Sequence, residues 1–316
     1  MNLQLLPFPA ADYATWRAAQ VERRRRWQFG PLWSDDDAAT VQARAAVDDL
    51  APADGLSGTY LHRVLGPGGD AGWLWLSRQD GDLLVLDAEI DAPAEALLAL
   101  LEARARAADA RQLVLDRMIA APTTAALAEL GAFTVLSQTM VLDLRATDTP
   151  GSDRVALHPM TQLTFDAYLA AAIDEYAHEI QRTDHLPWDE ALDHSRADYD
   201  ALLPQGLATP GQVLLDVVET ATGETVGTLW LGLRPPSAAF VYDVYLMASA
   251  RGRGLGRAAM LAGAAWCRER GIGVLGLSVF GRNTVARELY ESLGYTVVME
   301  ALRHPVEPAP PVTGPR

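Results

Sequence analysis

The sequence predicts an α/β protein in which two copies of one plan follow each other, each copy a mixed β-sheet flanked by helices. Its 316 residues suit two domains of about 150 residues each. The same succession of motifs recurs at a spacing of about 155 residues, and β-rich runs alternate with helical patterns along the whole chain. Such alternation is typical of folds that pack helices against a sheet.

Each copy is predicted to contain a strand, two helices, three strands, a helix, a strand, a helix and a last strand. Turn-bounded runs rich in β-branched and aromatic residues, such as 83–90 and 240–247, predict strands. Apolar residues at helical spacing over 93–109 and 255–270 predict the helices that follow those strands.

Matched residues define the two copies and their boundaries. Asp87 matches Asp243, 156 residues further on, and Gly131 matches Gly294, 163 residues further on, so the first copy lacks seven residues between these points. Turn-forming residues predict a linker, and four prolines close together predict a disordered tail. The predicted divisions are a first domain at 1–146, the linker at 147–153, a second domain at 154–304 and the tail at 305–316.

The composition excludes several classes of protein. A formal net charge of −15 argues against a nucleic-acid partner, which requires a basic surface. No apolar run approaches the length of a membrane span, and the N-terminus lacks the pattern of a signal peptide. A single cysteine, Cys267, excludes an internal disulfide. We therefore expect a cytoplasmic protein, as a monomer or a homodimer, with no metal.

A glycine-rich segment, residues 251–257 (RGRGLGR), follows a predicted strand and opens a predicted helix. Unpaired amides at a helix N-terminus favour anions, and glycines let a bulky phosphate approach the backbone. A Walker loop requires a lysine, which the chain lacks, and the glycine spacing is not that of a dinucleotide loop. A pyrophosphate loop and a turn without a ligand both remain open from these residues alone.

Residues 251–256 read R-x-x-G-x-G, and residues 283–295 read N-x-x-A-x-x-L-Y-x-x-x-G-Y. In these two motifs the second half of the chain resembles the GNAT superfamily of N-acetyltransferases, and the first half resembles it more weakly. The resemblance implies two tandem GNAT domains, acetyl-CoA as the cofactor, and transfer of an acetyl group to a primary amine. The acceptor is expected to be a small-molecule amine or a protein N-terminus.

The resemblance also implies roles for single residues. The end of the strand before the loop should bind the pantetheine arm, and the loop amides and arginines should bind the pyrophosphate. Asn283 should contact pantetheine while also capping its helix, and Ala286 should keep that helix close to the cofactor. The cofactor-binding residues implied in this way are Leu246, Met247, Arg251, Gly252, Arg253, Gly254, Leu255, Gly256, Arg257, Asn283, Ala286 and Tyr290.

Two residues are the candidates for catalysis. Tyr290 should protonate the departing thiolate, since a phenol of pKa about 10 is protonated at neutral pH, although it could also be a packing tyrosine. Asp243 could act as the base or orient its neighbours, and the amine could instead lose its proton to water. Glu175 and Glu179 are reserve candidates for binding the amine. The amine would attack the thioester directly, with the amide of Leu246 or Met247 stabilising the oxyanion.

The first copy is predicted to lack a pyrophosphate loop, because residues 91–95 (DAPAE) run directly into its helix. It would then be a degenerate GNAT domain kept for scaffolding or for shaping the substrate cleft. The arginine run at 23–26 is interpreted as a solvated helix face, with a surface for an acidic partner as the alternative. A different function also stays open: a non-catalytic acyl-CoA sensor or scaffold. It is favoured by Tyr245, which stands where the family's strand has a second acidic residue.

Overall fold

The computed structural model describes residues 3–33, 35–51, 60–79, 81–146, 151–184 and 186–306. Its contacts divide the chain into a first unit, Met1–Leu142 with Ser278–Arg316, and a second unit, Asp143–Leu277. Residues 147–150 of the predicted linker and 307–316 of the predicted tail lie outside the described residues. The domain boundaries derived from the internal repeat stay a prediction. They divide the chain by sequence similarity, whereas the two units divide it by contacts between residues.

The order of elements predicted for each copy is confirmed. The first half contains β1 (Gln4–Pro7), α1 (Tyr13–Arg24), a π-helical turn (Arg25–Phe29), α2 (Gly30–Leu32), α3 (Asp36–Leu50), β2 (Tyr60–Gly66), β3 (Gly69–Gln79), β4 (Asp82–Ile90), α4 (Ala94–Ala107), β5 (Gln112–Met118), α5 (Pro122–Glu129) and β6 (Thr134–Asp143). The second half contains β7 (Val155–Pro159), α6 (Gln162–Asp184), α7 (Trp188–Leu202), β8 (Gln212–Glu219), β9 (Thr225–Arg234), β10 (Ala238–Leu246), α8 (Leu255–Arg268), β11 (Val274–Phe280), α9 (Thr284–Ser292) and β12 (Thr296–Pro305).

The sheet of the first unit takes in the last strand of the second half. Its strand order is β1-β2-β3-β4-β5-β12-β6, with β4 and β5 parallel. β12 is antiparallel to both of its neighbours, β5 and β6. Leu302 of β12 stands opposite Leu115 of β5, and both are buried in one hydrophobic cluster. The last strand of the second half is therefore a core element of the first unit.

The second unit contains a mixed sheet in the order β7-β8-β9-β10-β11. β7 to β10 are antiparallel neighbours, whereas β10 and β11 run parallel and are joined through helix α8. α8 buries Leu255, Ala259 and Cys267, among others, at helical spacing. Within the described part of the chain, no helix combines the length and the apolar composition that crossing a membrane requires.

The single cysteine should not react with thiol reagents while the protein is folded. The side chain of Cys267 has no exposed surface, and burial raises the pKa of its thiol to about 12, although Arg268 and Arg270 oppose this effect. At pH 8 we expect no labelling by a chromogenic disulfide reagent in buffer and one thiol per chain in denaturant. Rapid labelling of the native protein would contradict the buried position of this helix face.

Candidate active site

A β-bulge in β10 shapes the candidate acceptor side of the site. β10 pairs with β9, and the register shifts between Val241 and Asp243, so that Tyr242 is an extra residue opposite β9. Inside the second unit, β10 also pairs with β11 as far as Val241, opposite Leu277. A bulge adds twist and re-aims the side chains that follow it, and here the first of these is Asp243.

Asp243 accepts a hydrogen bond from the phenol of Tyr168, with 3.0 Å between Oη and Oδ2. Burial raises the pKa of Asp243, and the nearby carboxylate of Glu175 raises it further. The hydrogen bonds from Tyr168 and from the Val244 amide act in the opposite direction. Among the described residues no arginine pairs with Asp243, so its charge is stabilised only by neutral donors.

Aromatic rings surround this carboxylate. Trp230 stacks on Tyr242 with ring centroids 4.9 Å apart, and Tyr199 lies 5.9 Å from Trp230. Tyr176 meets Tyr199 edge to face at 6.3 Å. Burial raises the pKa of both Tyr168 and Tyr199, so these phenols stay protonated. We call this group the aromatic cluster, and it consists of Tyr168, Tyr176, Tyr199, Trp230 and Tyr242.

Sequence reasoning found Asp243 but missed the aromatic cluster. The rings come from α6, α7, β9 and β10, which no local pattern brings together. The available signal was the repeat, since Tyr168 and Trp230 stand at the spacing of Tyr13 and Trp75 in the first half. Of the reserve candidates, Glu175 lies near the cluster, whereas Glu179 forms an ion pair of 2.8 Å with Arg182 on its own helix.

The glycine-rich segment forms an open turn before α8. Gly252 and Gly254 have φ angles of +71° and +76°, in the left-handed region, and Gly254 is the N-cap of the helix. The first helical hydrogen bond joins the Ala258 amide to the Gly254 carbonyl at 3.2 Å. Within the described residues, the amides of 252–256 donate to no backbone or side-chain acceptor. This row of donors is the feature that an anion site requires.

Two of the loop arginines have partners inside the second unit. Arg253 forms an ion pair of 2.6 Å with Glu219, a buried carboxylate at the end of β8. Arg251 donates from Nε to the Leu246 carbonyl at 2.9 Å, and its guanidinium lies 5.5 Å from the Tyr245 ring. These contacts hold the loop against the sheet, a role that the sequence did not indicate.

One of the two predicted oxyanion donors already has an acceptor. The Met247 amide donates to the Val226 carbonyl at 2.9 Å, which extends the pairing of β9 and β10. The side chain of Met247 is exposed. Of the two amides named from the sequence, the one at Leu246 is therefore the better candidate.

The second motif lies on α9, in the part of the chain that belongs to the first unit. Asn283 is the N-cap of α9, as predicted, and its Oδ1 accepts a hydrogen bond of 3.1 Å from the Ala286 amide. Tyr290 is 7% exposed, and its ring centroid lies 5.8 Å from that of Tyr295. The site residues predicted from the sequence are thus divided between the two units.

The arginine run of the first half is only partly a solvated helix face, because Arg26 is exposed whereas Arg23 and Arg24 have partners inside the unit. Arg23 donates two hydrogen bonds to Asp87, at 2.9 and 3.0 Å, and a third to Glu89 at 3.1 Å. Arg24 is 5% exposed and lies over the Trp75 ring. The solvated-face interpretation was wrong for Arg23 and Arg24, because the acidic partner of Arg23 is inside the same unit, 64 residues away in sequence, while a surface for an external acidic partner stays a prediction.

The connection after the matched strand is much shorter in the first half. Only residues 91–93 join β4 to α4, whereas 247–254 join β10 to α8. α4 begins after Pro93, which has no amide hydrogen to donate. At this connection, residues 91–93, the first half therefore has no turn comparable to 252–256.

A mixed sheet with a glycine turn feeding a helix is the architecture of an acyl-CoA-dependent transferase, and comparison with known proteins identifies the family. The model of the acetyltransferase (GNAT) family matches residues 174–295. YycN of Bacillus subtilis, an uncharacterized N-acetyltransferase, is 35% identical over 145 residues, which are 45% of this chain and 92% of YycN. A mycothiol acetyltransferase of Rhodococcus erythropolis is 33% identical over 106 residues, 32% of this chain and 36% of that protein.

A solved structure extends the similarity to the whole chain. A GCN5-related N-acetyltransferase from Sphaerobacter thermophilus matches 98% of this chain and 97% of its own with a TM-score of 0.54. At 18% identity this similarity concerns the fold alone. The chain belongs to the GNAT family of acetyltransferases, it is an acyltransferase, and the predicted fold class of tandem GNAT domains is confirmed.

Proposed function

We propose that the protein is an N-acetyltransferase that transfers the acetyl group of acetyl-CoA to a primary amine by direct attack. The observation that carries the proposal is the row of amides at 252–256, which have no acceptor in the described chain and stand at the N-terminus of α8. A diphosphate supplies the acceptors that such donors require, and the helix dipole favours its charge. The acceptor side would be the cluster around Asp243.

The residues present fit acetyl-CoA. The amides of 252–256 would hold the pyrophosphate, and the end of β10 at Leu246 and Met247 would hold the pantetheine arm. Arg251 and Arg253 would keep the turn in place through their contacts to Leu246 and Glu219. By the family resemblance, Asn283 and Ala286 would also contact the cofactor. When bound, acetyl-CoA supplies a thioester carbonyl that an amine can attack.

Side chains and a backbone amide of the protein would then transfer the protons and stabilise the negative charge of the reaction. As the amine nitrogen bonds to the acetyl carbon and the carbon–sulfur bond breaks, Tyr290 would give its proton to the thiolate. The Leu246 amide would stabilise the oxyanion. The ammonium form of the acceptor must lose one proton to become a nucleophile, and its nitrogen loses a second proton as the amide forms, which restores the phenol of Tyr290 through solvent. Asp243, whose pKa is raised by burial, is the candidate group for accepting the first of these protons, directly or through water.

Replacing the proton donor tests the proposal. Tyr290→Phe should lower turnover with a panel of primary amines at least about tenfold, a change of roughly 1.4 kcal/mol in the barrier. CoA affinity, measured by calorimetry, should change less than about twofold, because packing is kept. Tyr295→Phe is the matched control, since this buried ring lies 5.8 Å from that of Tyr290 and just before β12, and it should keep full turnover. Equal losses in the two variants would contradict the role of Tyr290.

A sensor or scaffold that binds acyl-CoA without turnover is the second candidate. Tyr245 favours it, because this side chain packs under Arg251 where a family member would carry a second acid. A wild-type protein that binds CoA but acetylates none of the amines would establish this candidate. Turnover that depends on Tyr290 would remove it.

A further inference from the structure

The two halves hold equivalent aspartates at equivalent bulges. In the first half, Trp75 stands opposite Asp87 and the next pair is Leu76 with Val85, which leaves one extra residue in β4. In the second half, Trp230 stands opposite Asp243 and the next pair is Leu231 with Val241, which leaves one extra residue in β10. Asp87 and Asp243 therefore occupy the same place on the same strand of the two copies.

In the first half this place is taken by a cation that belongs to the chain. The Arg23 guanidinium binds both carboxylate oxygens of Asp87, which has no exposed surface. The Cζ atom of Arg23 lies 4.5 Å from the centre of the Trp27 ring and 5.3 Å from that of the Trp73 ring. A buried carboxylate, a planar cation and aromatic faces thus form a complete binding arrangement.

In the second half the helix that matches α1 brings no cation to Asp243. The repeat spacing that relates Tyr13 to Tyr168 places His178 at the position of Arg23, and the His178 ring packs on Trp188 at 4.4 Å. The same spacing places Glu175 at the position of Gln20. Compared with the first half, the second half therefore has the carboxylate of Glu175 in place of the neutral amide of Gln20, and it has no guanidinium at the position of Arg23.

The result is a negative site lined by aromatic rings. The carboxylate of Glu175 is close enough to raise the pKa of Asp243, and the hydrogen-bond donors to Asp243 are the neutral phenol of Tyr168 and the Val244 amide. Carboxylates in such surroundings are stabilised when a cation joins them, and the faces of tyrosine rings add to that attraction. At the matching place in the first half, Arg23 already supplies the positive charge.

We propose that the acceptor carries a second cationic group besides the amine that is acetylated, and that Asp243 and Glu175 bind this group within the aromatic cluster. The acceptor is then a diamine or another dibasic amine. Arg23 on Asp87 is the intramolecular counterpart of this contact. The inference rests on the proposed acetyltransfer, since it names the substrate class of the same site. With Asp243 bound to the second cation, the reacting amine loses its proton to water rather than to Asp243.

Pairs of amines that differ in one charge test this inference. The probes are α,ω-diaminoalkanes of three to six carbons and the amino alcohols of the same length, which keep one amine and replace the other by a hydroxyl. With the wild-type protein and acetyl-CoA, kcat/KM for the best diamine should exceed that for its amino alcohol at least tenfold. Asp243→Asn and Glu175→Gln should each lower this ratio several-fold, through KM of the diamine.

Glu190→Gln removes the same charge from an exposed position of α7 outside the cluster, and it should keep the ratio. An equal kcat/KM for the two kinds of amine in the wild type overturns the inference and leaves the acetyltransferase standing. A ratio that Asp243→Asn leaves unchanged while both rates fall also overturns it, because that result assigns Asp243 to proton transfer alone. Turnover of no amine in a protein that binds CoA overturns the proposed function and this inference with it.

Discussion

Replacement of Arg23 by alanine is expected to lower the free energy of unfolding by about 3–5 kcal/mol, which is typical when one partner of a buried ion pair is removed. The side chain of Asp87 has no exposed surface, and Arg23 supplies two of its hydrogen bonds. Without the Arg23 guanidinium this carboxylate stays buried, with the Ala88 amide as a donor at 2.8 Å and the charge of Arg24 nearby but no ion pair of its own. The contacts of Arg23 with Trp27 and Trp73 are lost as well. Denaturant titration followed by tryptophan fluorescence measures the change.

Arg25→Ala is the matched control in the same arginine run. Arg25 pairs with Glu22 and Asp36, whose side chains are 60% and 85% exposed, so its loss should leave the free energy of unfolding close to that of the wild type. Adding Asp87→Asn to the Arg23→Ala variant should recover part of the loss, because the buried charge is then gone. Equal effects of the two alanine variants would show that Asp87 tolerates isolation and would weaken the comparison with Asp243.

The arginine run shows why parts of the site could not be predicted from the sequence. Four consecutive arginines are expected in water, because local patterns report only how polar a helix face is. Whether a carboxylate lies opposite that face depends on a distant strand, here the one that carries Asp87, 64 residues after Arg23. The aromatic cluster was missed for the same reason, since its rings come from four separate elements. The loop and the cap at Asn283 could be found because their residues are adjacent in sequence.

The order of elements was predictable, whereas the partners of β12 were not. Apolar alternation marks a strand but does not say which edge it joins, since β5, β6 and β11 all offer apolar neighbours. Pairing of β12 with β5 and β6 places residues from the end of the chain in the first unit's core, with Leu302 among Leu113 and Leu115. A repeat in the sequence therefore shows where each copy begins and ends, but it does not show which strands pair with one another.

Replacement of Gly252 by valine is expected to weaken CoA binding by about thirtyfold or more. A β-branched residue at a φ of +71° costs of order 2 kcal/mol, and each 1.4 kcal/mol corresponds to a factor of ten in affinity. A loop that relaxes to avoid this strain no longer presents the amides of 252–256 together. Calorimetric titration of the variant with CoA, alongside the wild type, measures the loss.

Gly271→Val separates the loop geometry from general strain. Gly271 follows α8 in the same unit, has a φ of +74°, and like Gly252 has no atom within 4 Å of the position that a Cβ would take. The two substitutions therefore have the same conformational cost, and the new side chain has free space at both positions. They should lower the melting temperature by a similar amount. Only Gly252→Val should lose CoA affinity. If both variants bind CoA as the wild type does, the amides before α8 are not the pyrophosphate site, and the acetyl-CoA assignment fails at its first step.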